Sequence, residues 1–274
     1  MRIALGLSYD GSNFNGWQTQ PDGMSVQDEL QRALTEFTKQ PSTIWCAGRT
    51  DAGVHATAQV IHLDTTVNRA AQNWVRGLNS LLPKSIAVQW AINVPDTFNA
   101  RFSAISRQYT YVLIEHSVRP AHLNNLIAWS HQRLDVLSMH HAAQTLVGTH
   151  DFSAFRSAQC QAASPIRAVH TISVERKGAL ILMQICANAF LHHMVRNIMG
   201  SLMQIGKGKW TSEKLATVLN SRDRKQNART FEPNGLYLTA VSYPPEFNLP
   251  TENNALPWWQ LADETDSCYA THAH

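Results

Sequence analysis

The chain has 274 residues, of which 44% are hydrophobic and 16% are charged, and its formal net charge at pH 7 is +3. It contains no run of eighteen apolar residues, and its first residues lack the apolar core and cleavage pattern of a signal peptide, so we expect neither a membrane span nor secretion. The four cysteines show neither zinc nor redox spacing, which favours a reducing, cytoplasmic setting: Cys46, Cys160, Cys186 and Cys268.

The first hundred residues show the element order β-α-β-β-α-β, which is that of a ferredoxin-like unit. Strands are predicted at 2–9, 43–47, 56–63 and 86–94. Ser25, with Asp28 three residues later, forms a capping box that opens the first helix. Apolar residues at helical spacing form one face of this helix: Val26, Leu30, Ala33, Leu34 and Phe37.

Two further elements of this half have a predicted buried face. In the second helix, 68–81, the residues expected to face inward are Ala71, Trp74, Leu78 and Leu81. In the strand 86–94 apolar residues alternate strictly, which predicts a half-buried strand with one apolar side: Ile86, Val88, Trp90, Ile92 and Val94.

The second half repeats the pattern. A strand is predicted at 107–116, and Asp135 opens a helix that ends near residue 146. The segments 169–176 and 179–187 are predicted to pair as a hairpin. Two helices follow at 190–205 and 211–221, and a last strand at 235–243.

The repeated order predicts an α+β fold. We expect two ferredoxin-like or RRM-like halves, 1–100 and 101–246, with antiparallel sheets, in a pseudo-twofold arrangement around a central cleft. Residues 247–274 are acidic and show no hydrophobic period, so we expect an appended and partly disordered tail.

Residues 47–56, Ala-Gly-Arg-Thr-Asp-Ala-Gly-Val-His-Ala, place one carboxylate, Asp51, between two glycines and near Arg49. Glycines allow close approach of a ligand, and an arginine offers a rigid fork for phosphate. An ordinary Asp turn is the alternative. A glycosidase would need a second acid nearby, and the next acid in the chain is Asp64, so a lone nucleophile or base describes Asp51 better.

Arg196 is predicted on a helix that is apolar almost all round, with His193 and Gly200 on the same narrow stripe. A buried guanidinium needs an anionic partner. We expect that partner to be Asp51, whose pKa would then be lowered by about 1–3 units. A structural acid elsewhere remains the alternative.

Tyr109 shares one face of its predicted strand with Tyr111 and Leu113. A tyrosine that lines a cleft can stack on an extruded base and move a proton. Packing in the core is the alternative, and it fits at least one of the two tyrosines.

The adjacent histidines His192 and His193 do not form an H-x-x-x-H or H-E-x-x-H pattern, so we expect no metal site.

The basic residues lie mainly in the second half. Residues 101–247 carry 16 Lys and Arg against 8 Asp and Glu, whereas residues 1–100 carry 7 against 8. Interleaved with aromatic residues, these charges suit recognition of RNA by its shape and backbone, and a solvated surface without a partner is the alternative. Arg49, Arg101 and Arg107 are candidate contacts, although any single one is more often solvated.

Seven segments together resemble the TruA family of tRNA pseudouridine synthases over about residues 1–245. The first, Tyr-Asp-Gly-Ser-Asn-Phe-Asn-Gly-Trp-Gln at 9–18, is similar to the first-strand signature of the family, with Ser12 where Thr is frequent. The others are 47–56, 98–102, 107–111, 148–152, 188–200 and 234–238.

This resemblance implies an enzyme that converts uridines at positions 38 to 40 of the tRNA anticodon stem-loop to pseudouridine, as a homodimer without metal or cofactor. It implies that Asp51 is the catalytic carboxylate, that Tyr109 stacks on the uracil and that Arg196 pairs with Asp51. Leu236 would form an apolar wall, and Arg49 would help to extrude the nucleotide. Whether Asp51 attacks C6, attacks C1′ or removes the 2′ proton stays open.

Two other classes of protein are considered. A non-catalytic protein with two RRM-like halves would carry aromatic RNP signatures on its strands, and none occurs on a predicted strand. A hydrolase with an aspartate nucleophile would need the paired acids that this sequence lacks.

Overall fold

The computed structural model describes residues 1–250 and 257–260, and it has an α+β fold. In the first half the elements are β1 (Arg2–Tyr9), α1 (Val26–Thr38), β2 (Ile44–Cys46), β3 (His55–Asp64), α2 (Ala71–Leu81) and β4 (Ile86–Val94). In the second half they are β5 (Ser106–Glu115), β6 (Ala128–Ser130), α3 (Val136–Ala143), β7 (Gly148–Asp151), β8 (Ile166–Lys177), β9 (Leu180–Ala187), α4 (Met194–Gly206), α5 (Ser212–Ser221) and β10 (Leu236–Ser242). None of the described helices is long and apolar enough to cross a membrane.

The strands of the described chain form one 10-stranded sheet in the order β4-β1-β3-β10-β5-β9-β8-β7, with β2 paired to β3 and β6 paired to β5. The pairs β3–β10 and β5–β6 are parallel, and the others are antiparallel. The two halves therefore share a single sheet. They join where Tyr237 and Leu238 of β10 pair with His55 and Ala56 of β3. Because β3 begins four residues after Asp51, this junction lies beside the Asp51 loop.

The local signals of α1 are confirmed. The Ser25 hydroxyl accepts a hydrogen bond from the Asp28 backbone N–H at 3.1 Å, and the Asp28 carboxylate accepts one from the Ser25 backbone N–H at 3.1 Å. This box satisfies two backbone donors that would otherwise lack a partner at the helix start. All five residues predicted for the apolar face are buried: Val26, Leu30, Ala33, Leu34 and Phe37.

In β4 the prediction of a single apolar side is wrong. Leu7 pairs with Val88 and Gly6 pairs with Trp90, so Gln89 is an extra residue in the ladder. Such a bulge shifts the alternation by one residue. Ile86 and Val88 therefore pack with the main core, whereas Trp90, Ile92 and Val94 pack in a cluster on the other face.

The predicted helix starts also need correction. Helix α2 begins at Ala71 rather than at residue 68, and Ala71 is exposed, while Trp74 and Leu78 are buried as predicted. Helix α4 begins at Met194 rather than at residue 190. Its N-cap, His193, has a φ of 63°, which is a left-handed conformation that an α-helix of L-residues excludes. The short strands β6 and β7 were not predicted.

The helices cover one face of the sheet and enclose the main core, which contains Trp17, Trp74, Tyr111, Phe152 and Phe155. Two smaller clusters occupy the other face, one around Phe98 and one around Tyr237. Most of the tail predicted at 247–274 lies outside the described residues. In the described part, Phe247 contacts Phe98 and Trp259 contacts Tyr237, so these positions are ordered by packing.

Candidate active site

The segment after β1, at residues 14–17, holds the loop that carries Asp51 by backbone hydrogen bonds. The Trp17 backbone N–H donates to the Thr50 carbonyl at 3.0 Å, and the Gly53 N–H donates to the Phe14 carbonyl at 3.3 Å. A Cβ on Gly16, whose φ is +89°, would lie only 2.7 Å from the Thr50 oxygen. Glycine at this position therefore lets the two segments pack together.

A buried polar network holds the same loop from the sheet side. The Tyr9 hydroxyl and the Thr50 Oγ1 are 2.8 Å apart. Gln59 of β3 donates from Nε2 to the Gly48 carbonyl at 2.6 Å. Because these groups are buried, each needs a partner, and their pairing fixes the part of the loop that precedes Asp51.

Three basic side chains from the start of α4 surround the Asp51 carboxylate. Arg196 Nη1 lies 3.0 Å from Oδ2, His192 Nε2 lies 3.3 Å from Oδ1, and His193 Nε2 lies 3.5 Å from Oδ2. The exposed fractions are 18% for the side chain of Asp51, 15% for Arg196, 36% for His192 and 27% for His193. The expected pairing of Arg196 with Asp51 is therefore present, in a site whose side chains remain partly exposed.

This environment keeps Asp51 ionised. Burial by itself raises the pKa of the carboxyl group, but the hydrogen bond from His192, the charge of His193 and the contact with Arg196 outweigh burial and lower that pKa. Burial also lowers the pKa of His193. The Arg196 guanidinium, rather than the His193 imidazole, is therefore the lasting positive charge beside Asp51.

The backbone around Phe231 fixes the Arg196 side chain. Its Nε donates to the Phe231 carbonyl at 2.9 Å, and the Phe231 N–H donates to the Arg196 carbonyl at 3.2 Å. The segment that contains Phe231 can pack this closely against α4 because residue 200, one turn after Arg196, is a glycine. A Cβ on Gly200 would lie 2.3 Å from the Arg229 carbonyl oxygen. The stripe of His193, Arg196 and Gly200 noted in the sequence thus has a packing function as well as a charge.

Tyr109 of β5 lies near this cluster, and Leu236 lies on β10, the strand that pairs with β5. Tyr109 is 8% exposed, its ring packs edge-on against Phe190 at 5.1 Å, and its hydroxyl oxygen lies 3.8 Å from the position that a Cβ would take on Gly48. Burial raises the pKa of the Tyr109 phenol, so it carries its proton at neutral pH. Leu236 is buried and pairs with Tyr111. Tyr109 therefore supplies an aromatic ring near the carboxylate, and Leu236 supplies apolar packing on the neighbouring strand.

Tyr111, on the same face, has a packing role. It is fully buried, and its hydroxyl donates to the Glu232 carbonyl. Of the two tyrosines only Tyr109, the one predicted to be functional, keeps some exposure.

The three arginines expected to contact substrate differ in their surroundings. Arg49 and Arg101 are exposed, and Arg101 lies over the ring of Phe102, itself 77% exposed. Arg107, by contrast, is buried, and its guanidinium donates to four backbone carbonyls: those of Ala47, Arg101, Ala104 and Asn188. The prediction that Arg107 contacts substrate therefore needs correction. Arg107 ties the start of the Asp51 loop, at Ala47, to the segment before α4, at Asn188.

His192 and His193 were missed as site residues. The sequence signal was the i, i+3 spacing of His193 and Arg196, since residues at this spacing share a helix face. His192 could not be found in this way, because it precedes the helix. Together with Asp51, these histidines form the one group in the described chain that could hold a metal ion.

Comparison with known proteins identifies the family. The profile of a family described as tRNA pseudouridine synthase matches residues 7–103 and 142–244. The tRNA pseudouridine synthase A of Bordetella avium is 54% identical over 251 residues, which cover 91% of this chain and 94% of the relative. The protein of the same name from Paraburkholderia xenovorans is 54% identical over 258 residues, which cover 94% of this chain and 96% of the relative. The one from Burkholderia thailandensis is 52% identical over 267 residues, which cover 97% of this chain and 99% of the relative. The chain therefore belongs to the tRNA pseudouridine synthase family.

Proposed function

We propose that this protein isomerises uridine to pseudouridine in the anticodon stem-loop of tRNA, at positions 38, 39 and 40, with Asp51 as the catalytic carboxylate. The observation that carries the proposal is the ionised Asp51, held by Arg196 in a partly enclosed site built from both halves of the chain. The family membership supports the reaction, and the motif resemblance supports the three positions.

The reaction is an isomerisation, so it needs no co-reactant. The N1–C1′ bond breaks, the uracil turns, and a C5–C1′ bond forms; the C5 proton is lost and N1 gains a proton. A carboxylate can assist as a nucleophile at C6 or C1′, or as a base for the 2′ proton. The uracil must stay in place while it is detached. Tyr109 would hold it by stacking, and the apolar side chains of Leu236 and Phe190 would help to exclude water.

The target uridine must leave the base stack to reach Asp51, at a cost of a few kcal/mol. Arg49 follows Gly48 at the entrance of the Asp51 loop, and its exposed side chain can hold a phosphate of the extruded nucleotide. Arg101, exposed beside Phe102, would contact the RNA backbone nearby.

The roles of the three arginines can be separated by measurement. We expect Arg107→Met to lower the free energy of unfolding by about 2–3 kcal/mol, since buried carbonyls lose a charged donor, and to leave the salt dependence of tRNA binding unchanged. Arg49→Ala and Arg101→Ala should each reduce the slope of log K against log salt by about 1 and change stability by less than about 0.5 kcal/mol. Urea unfolding and filter binding check this. A reduced salt slope for Arg107→Met would contradict its structural role.

We propose further that the halves 1–100 and 101–246 are copies of one ferredoxin-like unit. The strands β5, β8, β9 and β10 of the second half correspond in chain order to β1, β2, β3 and β4 of the first. In the sheet both sets lie in the order fourth, first, third, second: β4-β1-β3-β2 in the first half and β10-β5-β9-β8 in the second. The pseudo-twofold relation of the two copies stays a prediction. So do the cytoplasmic location and the homodimer, which sedimentation equilibrium would check. No metal or cofactor is part of the proposed reaction.

The test uses tRNA labelled with tritium at C5 of uridine. We expect the purified protein to release tritium, and mass analysis to place pseudouridine at positions 38, 39 and 40. The matched control is the same tRNA with cytidine at these three positions. Binding to the tRNA without release would favour an RNA-binding protein instead. Release from the control tRNA would contradict the assigned positions.

A further inference from the structure

The Asp51 cluster has the geometry of a transition-metal site. One carboxylate oxygen and the two imidazole Nε2 atoms all lie within 4.8 Å of one another. His192 Nε2 lies 3.3 Å from Asp51 Oδ1, and His193 Nε2 lies 3.5 Å from Asp51 Oδ2, so each imidazole approaches one oxygen of the carboxylate. These spacings are near those of a tetrahedral zinc site, in which ligand atoms bonded at about 2.0–2.2 Å lie about 3.3–3.5 Å apart. We propose that the tRNA-free site binds Zn²⁺ through Asp51, His192 and His193, and that bound zinc inhibits the enzyme. The inhibition rests on the proposed role of Asp51, whereas the binding does not.

The backbone positions both histidines before a metal arrives. The Ser157 N–H donates to the His192 carbonyl at 3.0 Å, and the His192 N–H donates to the Cys160 Sγ at 3.5 Å. His193 is fixed as the N-cap of α4, where its carbonyl accepts from the Asn197 N–H at 2.9 Å. The two rings lie 4.0 Å apart between centroids, each with its Nε2 toward Asp51. The ligand side chains are therefore already gathered around the carboxylate.

The site is also accessible. His192 is the most exposed of the three ligands, so a metal ion can reach the cluster from solvent at this ring. Three protein ligands leave the fourth tetrahedral position to water, as in zinc sites that stay open to solvent.

Arg196 limits the affinity of this site for zinc. Its Nη1 already contacts Asp51 Oδ2, and its Nε is held by the Phe231 carbonyl, so it stays near the metal. Zinc would take Oδ1, the oxygen near His192, and the ring of His193 would turn from Oδ2 toward the metal, while Arg196 would remain the partner of Oδ2. The repulsion between the two cations makes binding weaker than in a closed four-ligand site. Imidazole ligands favour Zn²⁺ over Mg²⁺, so the magnesium that accompanies tRNA should not compete.

Zinc and the target uridine would then exclude each other. A metal on Oδ1 occupies the carboxylate that the reaction needs, so the target uridine could not reach it. Inhibition should therefore be competitive, with a raised KM for tRNA and an unchanged kcat.

The binding test is calorimetric titration of zinc chloride into the full-length protein without RNA, with cobalt chloride as a spectroscopic probe. We expect saturable binding at one site and visible absorption bands typical of tetrahedral cobalt. His192→Asn and Asp51→Asn should each weaken binding at least about tenfold. The matched control is His141→Asn, in the other adjacent pair of histidines, on α3, and it should bind as the wild type does. Thermal unfolding establishes that each variant is folded.

Absence of binding by the wild type, equal binding by His192→Asn and the wild type, or displacement of zinc by magnesium would each overturn the proposal. The inhibition assay keeps free zinc constant with a metal buffer, because tRNA itself binds metal ions. Inhibition that lowers kcat without raising KM would overturn the competitive model. An active Asp51→Asn variant would instead remove the proposed catalytic role and leave the zinc site standing.

Discussion

Replacement of Asp51 by asparagine should abolish pseudouridine formation while leaving a folded protein that binds tRNA. Asparagine has the shape of aspartate but is neither a nucleophile of comparable strength nor a base. We expect kcat to fall by at least about 10²–10⁴-fold, the range associated with a positioned acid or base, and further if Asp51 forms a covalent bond. Release of tritium from C5-labelled tRNA under single-turnover conditions measures the chemical step.

The control for this variant is Asp96→Asn, which removes an exposed carboxylate away from the cluster. It should keep wild-type activity. The affinity of Asp51→Asn for tRNA should not fall, because the substitution removes a negative charge from a surface that meets a polyanion. Substantial turnover by Asp51→Asn would refute the proposed mechanism, and a loss of binding equal to the loss of turnover would reduce Asp51 to a structural role.

Arg196→Met should raise the pKa of Asp51. The variant keeps the burial that raises this pKa and loses the guanidinium that lowers it. In the wild type the carboxylate stays ionised down to its lowered pKa, so activity falls only in acid. In the variant the acid limb of the kcat/KM profile should move to higher pH. Carboxyl ¹³C NMR of Asp51 and the pH profile measure the same shift independently.

The lowered pKa of Asp51 also determines how the free energy of unfolding changes with pH. A carboxyl group whose pKa is lower in the folded state stabilises the protein above its unfolded pKa, and this contribution is lost as the pH falls through the folded pKa. We expect Arg196→Met to lose about 1.5–3 kcal/mol at neutral pH, as for a hydrogen bond to a charged group. The difference from the wild type should shrink as Asp51 becomes protonated in acid.

A surface pair provides the comparison for Arg196. Arg222 Nε lies 3.5 Å from Asp151 Oδ2, and the Arg222 side chain is 69% exposed. Arg222→Met should cost at most about 1 kcal/mol, since exposed ion pairs contribute little. An unchanged Asp51 pKa in Arg196→Met would mean that the histidines and the backbone, rather than Arg196, keep the carboxylate ionised.

Prediction from the sequence was most successful where the signal is local. Hydrophobic period placed β1 and β4 at their observed bounds, and the capping box placed the start of α1 at Ser25. Prediction from the sequence failed where a single residue interrupts the hydrophobic period. The extra Gln89 in β4 and the left-handed His193 before α4 are stable only because of the neighbouring segments, and neighbours are not visible in a window of sequence. The strands β6 and β7, of 3 and 4 residues, are too short to show alternation.

The sequence by itself determined the order of the longer elements, the family motifs and the residues proposed to carry the chemistry: Asp51, Tyr109 and Arg196. These follow from short-range patterns and from the residue types that a reaction needs. Only the tertiary structure decided which side chains meet. Asp51 and Arg196 meet although they are 145 residues apart in the chain. His192 and His193, at the start of α4, contact the same carboxylate. Arg107 is buried and donates to backbone carbonyls instead of facing solvent. The reason is physical, because the role of a charged side chain depends on the partners and the burial that distant segments supply.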